Sequence, residues 1–363
     1  MEPAPAGSRV RLMEAAALES VEDLTPEWMT AVLAQNGIAA TVCRVRSAPV
    51  GNGQMGSCYR LFIGYDAGDG PDRLIVKLPA ADSASRAAGQ LGYRCETTFY
   101  REVANRLHLN IPRCYFAAMN ESGDGFTLVL EDLAPAQPGD QIAGCSVDQA
   151  RAAAVNVAGL HAPTWNDPSI RELDWLIPDL AAYPEVAAAF LVDATKQFLE
   201  RYAVTRDTAA TLRHFADRFV DWAAGRPEPF ALLHSDYRLD NLLFAESDAT
   251  RPVTAVDWQV VTVGSPLRDI AFLVATGLST ARRRAGEKGI VEAYHRRLVA
   301  LGVDGYGAEQ CWEDYRYGLF QGPFITVLGA FVAQPTARGD RMFTIMAERS
   351  STAITDLNAM TLL

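Results

Sequence analysis

The apolar and polar positions along this chain change rhythm twice. Leu24 to Gln35 (LTPEWMTAVLAQ) carries a helix-start signal, with Thr25 as N-cap and Pro26 at the first helical position. The pattern then becomes β-like. Ser57 to Tyr65 (SCYRLFIGY) and Arg73 to Leu78 (RLIVKL) read as strands, separated by the hairpin punctuation Gly68-Asp69-Gly70-Pro71. Tyr93 to Leu107 returns to helical spacing, with Phe99, Val103 and Leu107 on one stripe, and a second strand pair follows over 113–118 and 125–130. Proline and glycine crowd residues 135–144. Beyond them helical patterns dominate, over roughly 148–161, 184–202, 207–224, 286–301, 310–332 and 341–361, around a β-rich island from Ala231 to Asp257. Antiparallel strands followed by helices indicate an α+β chain, not a doubly wound sheet. The expected division is a flexible arm over 1–20, a small β-rich N-lobe over 21–131 and a larger helical C-lobe over 132–363.

Composition narrows the class. At 363 residues, 49% hydrophobic and 21% charged, the chain has ample material for a core and about twice one domain's length, which excludes disordered, collagen-like and disulfide-stapled chains. A net charge of −11 argues against a nucleic-acid coat, which needs clustered cations, but leaves room for one phosphorylated small molecule. The charge-free stretch from Tyr317 to Ala337 contains Gln321, Pro323, Gln334 and several glycines, so it reads as a buried core helix and no membrane span is expected. Six cysteines without a CxxC, five histidines that do not cluster with them, and acidic residues where a signal peptide needs an apolar run lead us to expect a cytoplasmic protein with reduced, mostly buried thiols and no zinc.

Three constellations carry chemistry. His234-Ser235-Asp236-Tyr237-Arg238-Leu239-Asp240-Asn241 has the form H-x-D-x-x-x-x-N, and sixteen residues past Asn241 an apolar strand ends at Asp257. Phosphoryl transfer needs a carboxylate to orient the attacking hydroxyl, and an Asn and a second Asp to hold magnesium. Gly51-Asn52-Gly53-Gln54-Met55-Gly56 precedes a strand and opens no helix, so it fits a kinase-type hairpin loop better than a dinucleotide fingerprint. Lys77, one of only three lysines, lies inside an apolar strand and must be paired. Glu96, one turn before Phe99, shares that inward stripe and is its expected partner; Glu102 falls on another face.

This ordered set resembles the aminoglycoside phosphotransferase and choline kinase superfamily, and within it the ecdysteroid-kinase-like (CHK kinase-like) branch. The branch-level cues are Leu130-Glu131-Asp132-Leu133, Gly159-Leu160-His161-Ala162 with Trp165, Val256-Asp257-Trp258-Gln259, Gly264-Ser265-Pro266 and Asp269-Ile270-Ala271. The resemblance implies a protein-kinase-like bilobal fold and an ATP- and Mg2+-dependent transferase of a phosphoryl group to a small-molecule hydroxyl. It implies Gly51, Gly53 and Gly56 over the ATP phosphates, Lys77 held by Glu96 on the α and β phosphates, and the backbone of Glu131 to Leu133 on the adenine. Asp236 would be the catalytic base, Asn241 and Asp257 the magnesium ligands, and Asp269 a structural brace of the catalytic loop. Asp257 is followed by Trp-Gln and no Ala-Pro-Glu segment occurs, so a protein substrate is not expected. His234 and His161 read as loop-packing residues, while Tyr237, Arg238, Trp258 and Gln259 adjoin the reaction centre. The branch points to a sterol-like, hydroxyacyl or other apolar alcohol as acceptor. Aminoglycosides, a choline-type alcohol caged by Trp165, Trp175, Trp222, Trp258 or Trp312, and a non-catalytic nucleotide-binding module are the alternatives. Nothing in the pattern sets the oligomeric state.

Overall fold

The computed structural model describes residues 15–51, 56–178, 183–245, 248 and 250–363. The chain divides into two compact units: the first runs to Thr97 and resumes over Arg113–Asp132, and the second takes Thr98–Pro112 and Leu133–Leu363. The division interleaves, so the segment Thr98–Pro112, with a π-helical and a 3-10 turn, is counted with the second unit.

The first unit is one antiparallel sheet with two helices. Helix α1 (Pro26–Gln35) starts where the sequence places it, with Thr25 Oγ1 accepting from Trp28 N at 3.1 Å. Strands β1 (Thr41–Pro49), β2 (Gly56–Ala67) and β3 (Arg73–Pro79) are followed by α2 (Ser83–Thr98), then β4 (Cys114–Met119) and β5 (Phe126–Glu131). The strand order is β1-β2-β3-β5-β4 among the described residues. Met29, Val32 and Leu33 of α1 pack with Leu61, Leu74, Val76, Phe116 and Val129 in one apolar cluster, each buried aliphatic contributing about 1.5–3 kcal/mol. Leu18 joins that cluster and its N–H donates to Thr127 Oγ1 at 2.6 Å, so the described part of the expected arm, from residue 15, is packed.

Strand β1 carries no apolar alternation because it lies at the sheet edge and buries only Val42. Helix α2 begins ten residues before the expected Tyr93, through an Ala- and Gly-containing stretch with few apolar anchors. Regular helix ends at Thr98 and gives way to a π-helical turn over Phe99–Val103.

In the second unit, β6 (Gln137–Pro138) precedes α3 (Val147–His161), which opens with a Ser146/Gln149 capping box. There follow α4 (Pro184–Arg201), α5 (Arg206–Asp217), α6 (Phe219–Gly225), β7 (Ala231–Leu233), β8 (Leu242–Phe244), β9 (Val253–Ala255) and β10 (Thr262–Gly264). The last helices are α7 (Leu267–Gly277), α8 (Thr280–Ala300), α9 (Ala308–Gly318), α10 (Gln321–Val332) and α11 (Ala337–Asp356). The short strands pair as β10-β7 and β6-β8-β9, which accounts for the β-rich island. Two patterns read as single helices are each two: 207–224 breaks at Arg218 and 310–332 breaks at Leu319–Phe320. Helix α7 is buried along its whole length, so it has no polar face to reveal a helical period. The charge-free stretch holds the end of α9 and the twelve residues of α10, and among the described residues no helix is long and apolar enough to cross a membrane.

All six cysteines are free thiols; Cys95, Cys145 and Cys311 are buried, Cys58 and Cys114 partly so, and Cys43 is exposed. Burial pushes the Cys145 thiol up to about 11 and those of Cys114 and Cys311 up to about 12.

Gly159 is in the last turn of α3 because the backbone of His108 passes over it. His108 N donates to Gly159 O at 2.9 Å, and a Cβ at position 159 would lie 2.1 Å from His108 O. Gly159→Ala is therefore expected to cost about 2 kcal/mol or more in denaturant unfolding, because backbone must move. Gly289→Ala in α8, where a Cβ meets nothing within 4 Å, should instead raise stability by about 0.5–1 kcal/mol. Equal effects at both positions would refute the close approach.

Candidate active site

The H-x-D segment leaves β7 through a backbone turn that a serine rarely adopts. Ser235 has φ 66°, a left-handed conformation costing about 1–2 kcal/mol for a residue with a Cβ. Asp269, in the first turn of α7 and fully buried, offsets that cost: Oδ2 accepts His234 N at 2.7 Å and Oδ1 accepts Ser235 N at 2.9 Å. Bonds to a charged acceptor contribute about 1.5–3 kcal/mol each, so the brace outweighs the strain. His161 holds the brace in turn, with Nε2 3.3 Å from Asp269 Oδ2 and Nδ1 2.8 Å from Tyr294 Oη. Ser235 Oγ meets Thr262 Oγ1 at 2.7 Å, and Gln321 Nε2 donates to Ser235 O at 3.3 Å.

Two residues that adjoin the site in sequence point away from it. Tyr237 is fully buried and donates its hydroxyl to Ala153 O at 2.8 Å; burial raises its pKa well above the ordinary tyrosine value. The His234 ring lies against Trp258 with centroids 4.6 Å apart, and its Nε2 is 3.0 Å from Val256 O. A carbonyl only accepts, so Nε2 carries the proton and the ring is committed to packing the loop. Trp258 is itself buried, stacked on Phe99 at 4.0 Å.

Asp236 keeps 27% of its side chain exposed and faces two donors. Arg238 Nε lies 3.1 and 3.2 Å from its two oxygens, and Asn241 Nδ2 donates both to its Oδ2 at 2.8 Å and to its backbone O at 2.9 Å. With the amide nitrogen committed twice, the Oδ1 of Asn241 is directed away from Asp236. Val256 N donates to Asn241 O at 3.0 Å, which brings Asp257, the next residue, alongside the loop. Asp257 has φ 69°, a second left-handed residue at this site. Among the described residues no three His, Cys, Asp or Glu side chains converge as a metal site. One amide oxygen and one carboxylate instead suit Mg2+, which takes one or two protein oxygens and completes its shell with phosphates and water.

The first unit presents the other constellation. Lys77 is on β3, a central strand, so it is not an edge charge. Its Nζ lies 2.7 and 2.6 Å from the two oxygens of Glu96, which is fully buried, while Glu102 is exposed. Gly51 has φ 74°, and Gly56 enters β2 where a Cβ would sit 2.8 Å from Leu78 O, so both need glycine. Gly53 lies outside the described residues. Glu131 ends β5, its N–H donating to Arg113 O at 2.9 Å; Leu133 follows Asp132, which accepts from Arg60 Nε at 2.8 Å.

Sequence reasoning did not find the partners of Arg238. Its Nη1 donates to Asp240 Oδ2 at 2.6 Å, and Arg338, in the first turn of α11, donates to both Asp240 oxygens at 3.1 and 3.0 Å. The Arg-x-Asp spacing at 238–240 was the available signal for the inner pair; Arg338, ninety-eight residues on from Asp240, left none.

These two constellations stand on an α+β, kinase-like scaffold. A choline kinase from Cryptosporidium parvum Iowa II aligns over 88% of this chain and 91% of its own at a TM-score of 0.57 and 11% identity. Aminoglycoside 2'-phosphotransferase-IIIa, solved as its GDP complex, aligns over 90% and 98% at 0.53 and 13%. An ethanolamine kinase from Plasmodium vivax aligns over 95% and 90% at 0.51 and 11%. At such identities the likeness is one of fold. A finer match falls on the branch that the motifs resemble: the sequence model of the ecdysteroid kinase-like family matches residues 179–302, about a third of the chain. A 42-residue stretch is 43% identical to acyl-CoA dehydrogenase family member 11 of Gallus gallus, spanning 12% of this chain and 5% of that protein's length.

The Asp240 carboxyl is held below the ordinary aspartate value: burial pushes it up, but the hydrogen bond from Arg338 and the charge of Arg238 outweigh that. A depressed folded value contributes stability that is complete above the unfolded value, about 4, and is lost as pH falls through the folded one. Asp240→Asn should therefore be less stable than wild type at pH 7, with the gap in melting temperature closing as the pH drops below about 4. A gap unchanged from pH 7 to pH 3 would contradict this assignment.

Proposed function

We propose that this chain is an ATP- and Mg2+-dependent O-phosphotransferase that acts on a hydroxyl of a small molecule, with Asp236 as the catalytic base. The observation that carries the reading is the Asn241 amide. Committed through Nδ2 to Asp236, it leaves its amide oxygen as one that, with the Asp257 carboxylate, would hold Mg2+ beside the carboxylate that would take the hydroxyl proton. Lys77, oriented by Glu96, would hold the α and β phosphates, Gly51, Gly53 and Gly56 would cover them through backbone N–H groups, and the backbone at Glu131 and Leu133 would hold the adenine. When bound, Mg2+ neutralises charge on the transferring group. The protein's own share is then positional: Asp236 aligns the hydroxyl for in-line attack, and Asp269 keeps Asp236 at the tip of a strained turn.

An uncharged apolar alcohol, sterol-like or hydroxyacyl, is the acceptor we infer. A choline-type cage needs accessible aromatic faces, yet Trp175, Trp222 and Trp258 are buried, and Trp165 and Trp312 are taken up by Tyr306 and Tyr315. A polycationic aminoglycoside needs free carboxylates near the base, and Asp236 and Asp240 already face arginines. The short likeness to an acyl-CoA dehydrogenase family member puts hydroxyacyl chains first among the acceptors to try. Six free thiols are in keeping with a cytoplasmic protein.

The test is phosphate transfer from ATP to a panel holding a sterol-like alcohol, a hydroxyacyl chain, an aminoglycoside and choline. Asp236→Asn should lower kcat by about 10²–10⁴-fold with little change in KM for ATP, Lys77→Ala should raise that KM, and EDTA should abolish turnover. An equally active Asp236→Asn enzyme sinks the mechanism, and turnover confined to the two cationic acceptors sinks the apolar one. Stabilisation by ATP and Mg2+ without turnover on any alcohol would mark a nucleotide-binding module instead.

A further inference from the structure

Asp236 has an arginine at its side, and a base clasped by a guanidinium is poorly placed to receive a hydroxyl. A guanidinium presents two parallel N–H edges that match a carboxylate, so Arg238, two residues from Asp236, would be expected to engage it bidentately. It does not. Only Nε approaches Asp236, at 3.1 and 3.2 Å, long for a charge-assisted pair, whereas Nη1 donates to Asp240 at 2.6 Å. The guanidinium is drawn outward.

Asp240 is in turn fixed on its other sides. Arg338 donates to both of its oxygens at 3.1 and 3.0 Å, and Gln141 N donates to Oδ1 at 3.0 Å. The sulfur of Met342, one turn along α11 from Arg338, lies 3.5 Å from Arg238 Nη1 and closes the space into which that nitrogen would otherwise swing. Exposure is 56% at Arg338 but only 17% at Asp240 and 20% at Arg238, so the inner pair is little screened by water. Charges alternate along Asp236, Arg238, Asp240 and Arg338 and sum to zero. Removing Asp240 would leave Arg238 one carboxylate to satisfy it, and that carboxylate is the base.

We propose that Asp240 and Arg338 are positioning residues that hold Arg238 off Asp236, so that Asp236 Oδ1, which otherwise carries only the long contact from Nε, stays open to the acceptor hydroxyl. This rests on Asp236 being the base. The row also ties the loop of Asp236 to the start of α11, which supplies Arg338 and Met342.

Two measurements separate this claim from the assignment of function. A crystal structure of Asp240→Asn should show Arg238 collapsed onto Asp236, with Nε and an Nη nitrogen each within about 3 Å of one carboxylate oxygen. A guanidinium that stays in place overturns the proposal whether or not the protein is a kinase. In turnover, Asp240→Asn should lose about tenfold in kcat with KM for ATP within about twofold, and Arg338→Ala should lose less. The combination Arg238→Met/Asp240→Asn should recover activity over Asp240→Asn alone, because the residue that obstructs the base is gone. A merely structural role predicts the opposite order, with the double variant the worse of the two, and that result would overturn the proposal. Arg338→Lys, which keeps the charge but not the fork, should fall between wild type and Arg338→Ala. A wild type with no turnover on any acceptor removes the kinase reading, and the Arg238 geometry in the variant crystal still decides the positioning claim.

Discussion

The geometry of the candidate site depends on one buried carboxylate, that of Asp269. Asp269 accepts the backbone N–H groups of two successive residues, and those bonds make it affordable for Ser235 to sit in left-handed backbone. Without that turn the strand ending at Leu233 would carry straight on, and Asp236 would not face the amide of Asn241. Tyr237, His234, Gln321 and Thr262 each secure another side of the same turn. The result is a loop whose partly exposed Asp236 carboxylate is supported almost wholly by buried neighbours, as a pre-organised site would require.

The fold and the site were legible to different depths, for physical reasons. Several elements announced themselves: α1 by its Thr25 cap, β2 and β3 by their β-former runs either side of Gly68-Asp69-Gly70-Pro71, α3 and α4 by their helical patterns. Elements at either extreme did not. The edge strand β1 is too polar to alternate, and α7 is too apolar to show a period. Helix breaks at Arg218 and at Leu319–Phe320 were hidden because apolar spacing continues across them while the backbone turns.

Within the site, whatever is local in sequence was readable. The pairing of Lys77 with Glu96 followed from a helical stripe anchored at Phe99, even though the helix itself starts well before its expected beginning. The spacing of Asp236, Asn241 and Asp257 likewise corresponds to neighbours in the structure, with Asn241 bonded to Asp236 and the residue before Asp257 bonded to Asn241. What distance hides is the company those residues keep. Arg338 reaches Asp240 only because α11 packs back within the second unit, and no period or spacing in the chain records that. Three of the tryptophans that composition offers as an aromatic cage, Trp175, Trp222 and Trp258, turn out to be core residues once packing is known, since burial and not residue type decides whether a ring can meet a ligand.

The two left-handed residues, Ser235 and Asp257, would respond differently to glycine. A glycine at 235 would relieve the backbone while giving up one hydroxyl contact with Thr262, so the two residues are nearly equivalent there. At 257 the same exchange would relax the chain and delete the carboxylate. Under the proposed role, the side chain is needed at 257 against the preference of its backbone, whereas at 235 the backbone bonds to Asp269 already carry the strain.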